Sequence, residues 1–170
     1  MKEQAKRAIR HFIYLIILIV FDQYTKHLAV VHLKGQDPIK LLPGVLHLQY
    51  LENDGAVFGI LGGTVQALSI VTFILTIVLI YFYIRLPEDK KYNILRILLV
   101  FIIAGAVGNL IDRIAYGYVV DFIYFALINF PIFNIADSYV TVATLFIVLL
   151  GIFYYKDEDF NFLENKSSRE

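Results

Sequence analysis

Two aspartates in one apolar stretch have the residue type and setting to do chemistry. Asp121 and Asp137 are 16 positions apart in YGYVVDFIYFALINFPIFNIADSYV, residues 116–140. Two carboxyl groups that meet in surroundings of low polarity cannot both ionise readily, so they share one proton. One can then take a proton from water while the other donates one towards a carbonyl oxygen, which is a route to metal-free peptide hydrolysis.

Four more charged residues are expected to lie at the same end of the molecule. They occur where long apolar segments end, and they are Asp22, Lys26, Asp112 and Arg113. Charged side chains near hydrocarbon usually face a bundle interior or a wet cavity, so together they indicate a site. Asn109 lies one helical turn before the Asp112-Arg113 pair and adds a polar side chain to it.

Simpler structural roles are open for several of these residues. The i,i+4 spacing of Asp22 and Lys26 predicts an ion pair on one helical face. Gly105 and Gly108 are typical of close helix packing. Asp137 comes just before an apolar segment and can act as a helix N-cap. Asp121, on what reads as a short loop between apolar neighbours, is harder to explain as a structural residue.

The elements that must position these side chains are membrane helices. The chain of 170 residues is 59% hydrophobic with a mean hydropathy of +0.69, whereas soluble domains are about 45–50% apolar. Spanning helices need about 20 mainly apolar residues. We predict a single domain with spans at about 11–32, 64–85, 94–112 and 138–155, followed by a solvated, disordered tail at 156–170. The first apolar run follows basic residues like a signal peptide, but the polar FDQYTK follows it and no small-residue cleavage site does.

Lysine and arginine bias predicts the orientation. Most of these residues flank one side of the predicted spans, before the first, between the second and third, and after the fourth. The positive-inside rule therefore places both termini in the cytoplasm and the carboxylates near the extracytoplasmic face. In the first outer loop, VLHLQYL alternates apolar and polar residues between turn signals, which predicts one or two short strands. The expected fold is an all-α, four-transmembrane-helix bundle with a small β-containing extracytoplasmic loop region.

Other chemistries fit the sequence poorly. The chain has no cysteine, no H-E-x-x-H and no G-x-S-x-G, so thiol, zinc-protease and serine-hydrolase sites are disfavoured. A formal net charge of +0 gives no argument for nucleic acid. We expect no cofactor and no metal.

Five short motifs, in order along the chain, carry a resemblance to one family. They are DQYTK at 22–26, NDGAVFG at 53–59, GAVGNLIDR at 105–113, VVDF at 119–122 and FNIAD at 133–137. Together with the four-span pattern, the sequence resembles the bacterial lipoprotein signal peptidases, also called type II signal peptidases. Val57, where alanine or serine is common in the family, is a mild departure.

The resemblance implies a membrane aspartyl endopeptidase of the bacterial cytoplasmic (inner) membrane. Its substrates would be prolipoproteins with a diacylglyceryl-modified cysteine, cut just before that cysteine. Asp121 and Asp137 would be the catalytic dyad. The implied supporting residues are Asp22, Lys26, Asn53, Gly55, Asn109, Asp112, Arg113, Asn134 and Ala136. The expected partners are the substrate and membrane lipid but not nucleic acid. We also expect a monomer, since four helices suffice to enclose a site. An outer loop with Phe58, Gly59, Gly62 and Gly63 is expected to clamp above the substrate.

Two other classes of function remain open from the residues alone. Membrane-embedded charges also serve proton-coupled transporters or channels. Here, however, the charges cluster at one end, and the second span offers only Ser69, Thr72 and Thr76 as polar groups. A structural membrane subunit with interfacial ion pairs is the third interpretation, and it predicts that single Asp→Asn changes have little effect.

Overall fold

The frame of the molecule is four long helices with a small sheet at one end. The computed structural model describes residues 2–55 and 65–163. Its long helices are α1 Lys2–Leu33, α2 Val65–Arg85, α3 Asn93–Tyr116 and α4 Ile135–Phe153. All four are long and apolar enough to cross a membrane. The predicted fold class, a four-helix membrane bundle, is confirmed. The proposed clamp residues Phe58, Gly59, Gly62 and Gly63 lie outside the described residues.

The helices differ from the predicted spans mainly at their ends. α1 begins at Lys2 rather than near residue 11 and continues without a break through the polar DQYTK segment. It does so because Asp22, Gln23 and Lys26 of that segment find partners on the neighbouring helices α3 and α4. α4 begins at Ile135, so Asp137 lies in its first turn and is not the N-cap. The N-cap is Asn134, whose side chain accepts a hydrogen bond from the Asp137 backbone N–H.

Helix α3 forms the centre of the bundle. Half of its apolar window is buried, against 6% for α2, whose surface is left for lipid. Two glycines allow α1 and α4 to approach α3 closely. A Cβ at Gly105 would lie 2.7 Å from Val140 Cγ2, and one at Gly108 would lie 2.5 Å from Asp22 Oδ2. The packing interpretation of these glycines is therefore correct.

Three strands form an antiparallel sheet in the order β1-β2-β3 beside the C-terminal end of α1. They are β1 Ile39–Leu42, β2 Leu46–Asn53 and β3 Val119–Phe125. The alternating VLHLQYL pattern correctly indicated β2. The prediction of a loop around Asp121 was wrong, because this residue lies in β3 opposite Leu51. The first four residues of β3 are all buried, so the strand shows no alternation to detect.

A tight turn joins α3 to β3. Gly117 ends the helix with φ 79°, a left-handed conformation that glycine adopts without steric cost, and its N–H donates to Arg113 O at 3.1 Å. Successive side chains of β3 point to opposite faces. Val120 and Phe122 pack with Ala29 and Leu33 of α1, so Asp121 between them points to the other face.

The C-terminal segment is ordered where the structure describes it, contrary to the expectation of a disordered tail. Asp157–Leu163 form a 3-10 helix. Phe160 and Phe162 pack against a buried aromatic cluster that contains Tyr92 and Tyr155. This segment joins α4 to the α2–α3 turn, because Lys91 Nζ donates to Asp159 Oδ2 at 2.5 Å. The segment is ordered because its two phenylalanines are buried in part against this cluster. The many charged residues around them led to the expectation of disorder.

Candidate active site

The carboxylates of Asp121 and Asp137 are linked through one residue, Asn134. The Asn134 side-chain amide donates to Asp121 Oδ1 at 2.7 Å. Its backbone N–H donates to Asp137 Oδ2 at 3.1 Å, and the Asp137 N–H returns a 2.9 Å bond to Asn134 Oδ1. This reciprocal capping box fixes Asp137 in the first turn of α4. Strand β3 and helix α4 thus bring together the two aspartates that the sequence singled out.

Asn109 of α3 forms the second connection to Asp137. Its Nδ2 donates to Asp137 Oδ1 at 2.7 Å, so both Asp137 oxygens accept hydrogen bonds from the protein. Its Oδ1 accepts from Lys26 Nζ at 2.8 Å and from Asn134 Nδ2 at 3.0 Å. These partners fix which way the Asn109 amide points.

Beneath the dyad lies a buried lysine between two carboxylates. Lys26 Nζ is 3.0 Å from Asp22 Oδ2 and 2.9 Å from Asp112 Oδ2, and the three side chains are 3%, 0% and 1% exposed. The predicted Asp22–Lys26 pair therefore exists within a triad. Each carboxylate also positions backbone near the dyad, because Asp22 Oδ1 accepts from Ala136 N–H at 2.9 Å and Asp112 Oδ2 from Val120 N–H at 3.1 Å.

Asn53 reaches Asp121 from the end of strand β2. Its Nδ2 donates to Asp121 Oδ2 at 2.8 Å, and its Oδ1 accepts from Gly55 N–H at 2.9 Å. Gly55 has φ 81°, and a Cβ there would collide with Leu68 of α2. A glycine at this position therefore allows the loop to turn tightly and hold the Asn53 amide on the carboxylate.

Burial is the largest influence on the ionisation of Asp121. Burial and, to a smaller extent, the nearby negative charge of Asp137 raise the pKa of this carboxyl to about 6. Hydrogen bonds from Asn53 and Asn134 and the charge of Lys26 act in the opposite direction. Asp121 can therefore exchange a proton near neutral pH.

Arg113 is a half-buried cation beside the dyad. Its strongest attractions are to the charges of Asp137, Asp121 and Asp112, in that order. Within residues 2–55 and 65–163, no hydrogen bond or ion pair holds its guanidinium. Its donors are therefore available to a ligand that lies against the carboxylates.

A family model described as signal peptidase (SPase) II matches residues 14–153, which include all of these side chains. The chain belongs to the signal peptidase II family. A lipoprotein signal peptidase of Caldanaerobacter subterraneus subsp. tengcongensis is 43% identical over 143 residues, covering 83% of this chain and 95% of that protein. One from Staphylococcus aureus is 39% identical over 137 residues, covering 79% of this chain and 82% of that protein.

Solved structures agree with the family assignment. A bacterial membrane enzyme determined by the in meso method at 1.9 Å resolution superposes with a TM-score of 0.75 and 35% identity, covering 86% of this chain and 94% of that one. A second bacterial membrane enzyme, determined by the same method at 2.3 Å resolution, superposes with a TM-score of 0.73 and 34% identity. The match covers 95% of this chain and 93% of that one. As a signal peptidase II family member with four apolar helices, the chain is a multi-pass protease of the bacterial inner membrane. The transporter and structural-subunit interpretations are disfavoured.

Gln23 is a further member of this candidate site, and sequence reasoning gave it no role. Its Nε2 donates to Asp112 Oδ1 at 2.9 Å and to Gly108 O at 3.1 Å, and it lies 3.3 Å from Asp22 Oδ2. It thereby joins α1 to α3 beside the Lys26 triad. Its place directly after Asp22 in the polar DQYTK segment was the available signal.

Proposed function

We propose that this chain is an aspartyl endopeptidase that removes signal peptides from diacylglyceryl-modified prolipoproteins by cutting just before the lipidated cysteine. The family assignment and the relatives named lipoprotein signal peptidase support the substrate class. One observation supports the mechanism above all others. Asn134 hydrogen-bonds both Asp121 and Asp137, so a strand and a helix hold two carboxylates in one place.

The proposed reaction uses the dyad to activate water. One carboxylate accepts a proton from a water molecule as that water attacks the carbonyl carbon before the cysteine. The other carboxyl, protonated, donates a hydrogen bond to the carbonyl oxygen, and a proton then passes to the leaving amine. A pKa of about 6 for Asp121 suits this exchange, because the group can hold or release its proton near neutral pH.

Arg113 and the asparagines have positioning roles in this proposal. The guanidinium of Arg113, which has no hydrogen-bond or ion-pair partner among the described residues, would donate to a backbone carbonyl of the substrate and hold the peptide across the dyad. Asn53 and Asn109 each donate to one of the two carboxylates and keep its oxygens in place. The two carboxylates of the buried Lys26 triad anchor the backbone at Val120 and Ala136, the residues directly before Asp121 and Asp137.

The apolar helix surfaces suit a substrate that is itself anchored in lipid. Most of α2 and α4 is exposed and apolar, so a signal-peptide helix and acyl chains can approach sideways through the membrane. The lysine and arginine bias supports cytoplasmic termini and a dyad near the extracytoplasmic face. All of these site residues come from one chain, which supports a monomer as the active unit.

A cleavage assay tests this proposal. The purified chain is mixed with a diacylglyceryl-modified prolipoprotein in the presence of a chelator, beside Asp121→Asn, Asp137→Asn and the control Asp37→Asn. Asp37 is an exposed carboxylate between α1 and β1. We expect cleavage by the parent and the control, and loss of cleavage in both dyad variants with folding and substrate binding retained. Robust cleavage by either dyad variant would remove that residue from the mechanism.

The lipid requirement needs a second substrate. The same prolipoprotein without the diacylglyceryl group is expected to be cleaved far more slowly. Mass spectrometry of the product should place the modified cysteine at its new N-terminus. Equal rates for the two substrates, or a cut elsewhere, would contradict the proposed specificity.

A further inference from the structure

Two adjoining cavities lie at the end of the bundle opposite to the dyad. They are open clefts of about 260 Å³, between α1, α2 and α3, and about 350 Å³, where the α2–α3 turn adds to the lining. Ala8, Tyr83 and Ile84 line both, so the two form one continuous groove. The proposed peptidase reaction uses none of these residues.

The larger cavity has several charged residues in an otherwise largely apolar lining, and their positive charge is in excess. Its charged lining residues are Arg7, Glu88 and Arg96. Arg7 forms an ion pair with Glu88, which is half exposed. Arg96 is buried, and its guanidinium donates to carbonyls of the α2–α3 turn, including Leu86 O at 3.1 Å. In the part of the chain that the structure describes, no carboxylate pairs with Arg96. One of the two positive charges is therefore uncompensated.

The smaller cavity is an apolar slot that continues from the charged one along the helices. Its walls include Phe12, Leu15, Ile80 and Ile103. The polar atoms beside it satisfy each other, because His11 Nδ1 and the Tyr83 hydroxyl are 2.8 Å apart. The groove thus offers a basic mouth at the helix ends and an apolar interior towards the membrane core.

We propose that this groove binds an anionic phospholipid of the leaflet opposite the dyad. The lipid phosphate would lie at Arg7 above the charge of Arg96, and one acyl chain would fill the slot beside Phe12 and Ile80. A basic pocket between membrane helices favours anionic over zwitterionic headgroups. The adjoining apolar slot requires a ligand with a hydrocarbon chain, which a free anion lacks. This inference is independent of the proposed peptidase mechanism.

Native mass spectrometry of the full chain in detergent tests the charge requirement. The probes are phosphatidylglycerol and phosphatidylcholine with identical acyl chains. We expect one phosphatidylglycerol to bind with about fivefold higher affinity, the effect of one basic residue near an anionic surface. Arg7→Gln should remove this preference. Lys6→Gln should retain it, because Lys6 is exposed and lies outside the groove. Equal affinity of the parent for both lipids would overturn the proposal.

A second pair of variants tests the groove itself. Ala8→Phe fills the junction of the two cavities and should weaken binding of both lipids, whereas Ile9→Phe on the exposed face should not. Unchanged melting temperatures show that the variants fold. Glycerol 3-phosphate has the charge but no chain and should not compete, so competition would identify a simple anion site. A dimer that forms when lipid is removed would identify a second copy as the occupant. Either result contradicts the phospholipid site.

Discussion

Asn53 and Asp121 are joined between neighbouring strands by a 2.8 Å hydrogen bond from Nδ2 to Oδ2. This bond favours the ionised carboxylate and lowers a pKa that burial raises. In Asn53→Ala the pKa of Asp121 should therefore rise. The limb of the pH–rate profile that Asp121 governs should move up by about one pH unit, since a hydrogen bond to a charged group contributes about 1.5 kcal/mol or more.

The pH profile of kcat/KM for prolipoprotein cleavage measures this shift. Lys40→Ala, on the exposed strand β1, is the matched control and should keep the parent profile. A profile of Asn53→Ala that is lower in height but unmoved along the pH axis would show that the amide does not act on ionisation.

Asn134 combines a capping role with a bridging role, and two substitutions separate them. Asn134→Ser retains a side-chain oxygen that can cap α4 but loses the amide that donates to Asp121. We expect near-parental stability with kcat lowered roughly a hundredfold, as for a small misplacement of a reacting group. Asn134→Ala should lose the same activity and also about 1 kcal/mol of stability. Thermal unfolding and single-turnover cleavage measure the two effects. Full activity in Asn134→Ser would refute the bridging role.

The buried lysine stabilises the fold by pairing with two buried carboxylates. In Lys26→Met, Asp22 and Asp112 remain buried without their cation. We expect a loss of about 3–5 kcal/mol, which is typical when one partner of a buried ion pair is removed. Lys34→Met is the control, because its pair with Glu52 is exposed and its removal should change little. Chemical unfolding in detergent compares them, and equal effects would contradict the role assigned to the triad.

Gly108 has no room for a side chain. The Cβ of Gly108→Ala would lie 2.5 Å from Asp22 Oδ2 and must displace this carboxylate from Lys26 and from the Ala136 N–H. We expect a loss of about 1–3 kcal/mol from overpacking, with slower cleavage. In Gly151→Ala the new Cβ would meet no other part of the described structure within 4 Å beyond its own stretch of α4, so the change should be neutral or slightly stabilising. Melting temperatures that rank the two variants the other way would show that α1 can move aside.

The C-terminal segment should affect stability rather than catalysis. Phe160→Ala with Phe162→Ala removes two rings from the cluster around Tyr92. We expect about 1–2 kcal/mol of lost stability for each, below the value for a fully buried ring. The cleavage rate well below the melting temperature should not change. Phe153→Ala, 80% exposed, serves as the control. A rate that falls in step with stability at low temperature would link this end of the bundle to the dyad.

The helices were predictable because their apolar runs are long enough to identify without tertiary context. Strand β3 was not, since both faces of Val119–Phe122 are buried and a short apolar run on its own does not distinguish a strand from other structure. The Asp22–Lys26 pair follows from helical spacing. The contact of Lys26 with Asp112 depends on how α1 packs against α3, and periodicity carries no information about that. The described part of the tail, up to residue 163, was mispredicted because its charges suggested solvation, whereas Phe160 and Phe162 pack against the aromatic cluster.

The i,i+4 spacing of Asp22 and Lys26 also bears on biogenesis. A chain made from its N-terminus delivers α1 to the bilayer before Asp112 and Asn109 of α3 have been synthesised. During that interval Asp22 is the carboxylate of the triad that can neutralise Lys26, and the pair enters with no net charge. When α3 arrives, Lys26 gains a second carboxylate and the Asn109 amide as partners. The Asp22–Lys26 pair thus lowers the free-energy cost of inserting α1 into the membrane until Asp112 and Asn109 of α3 are available.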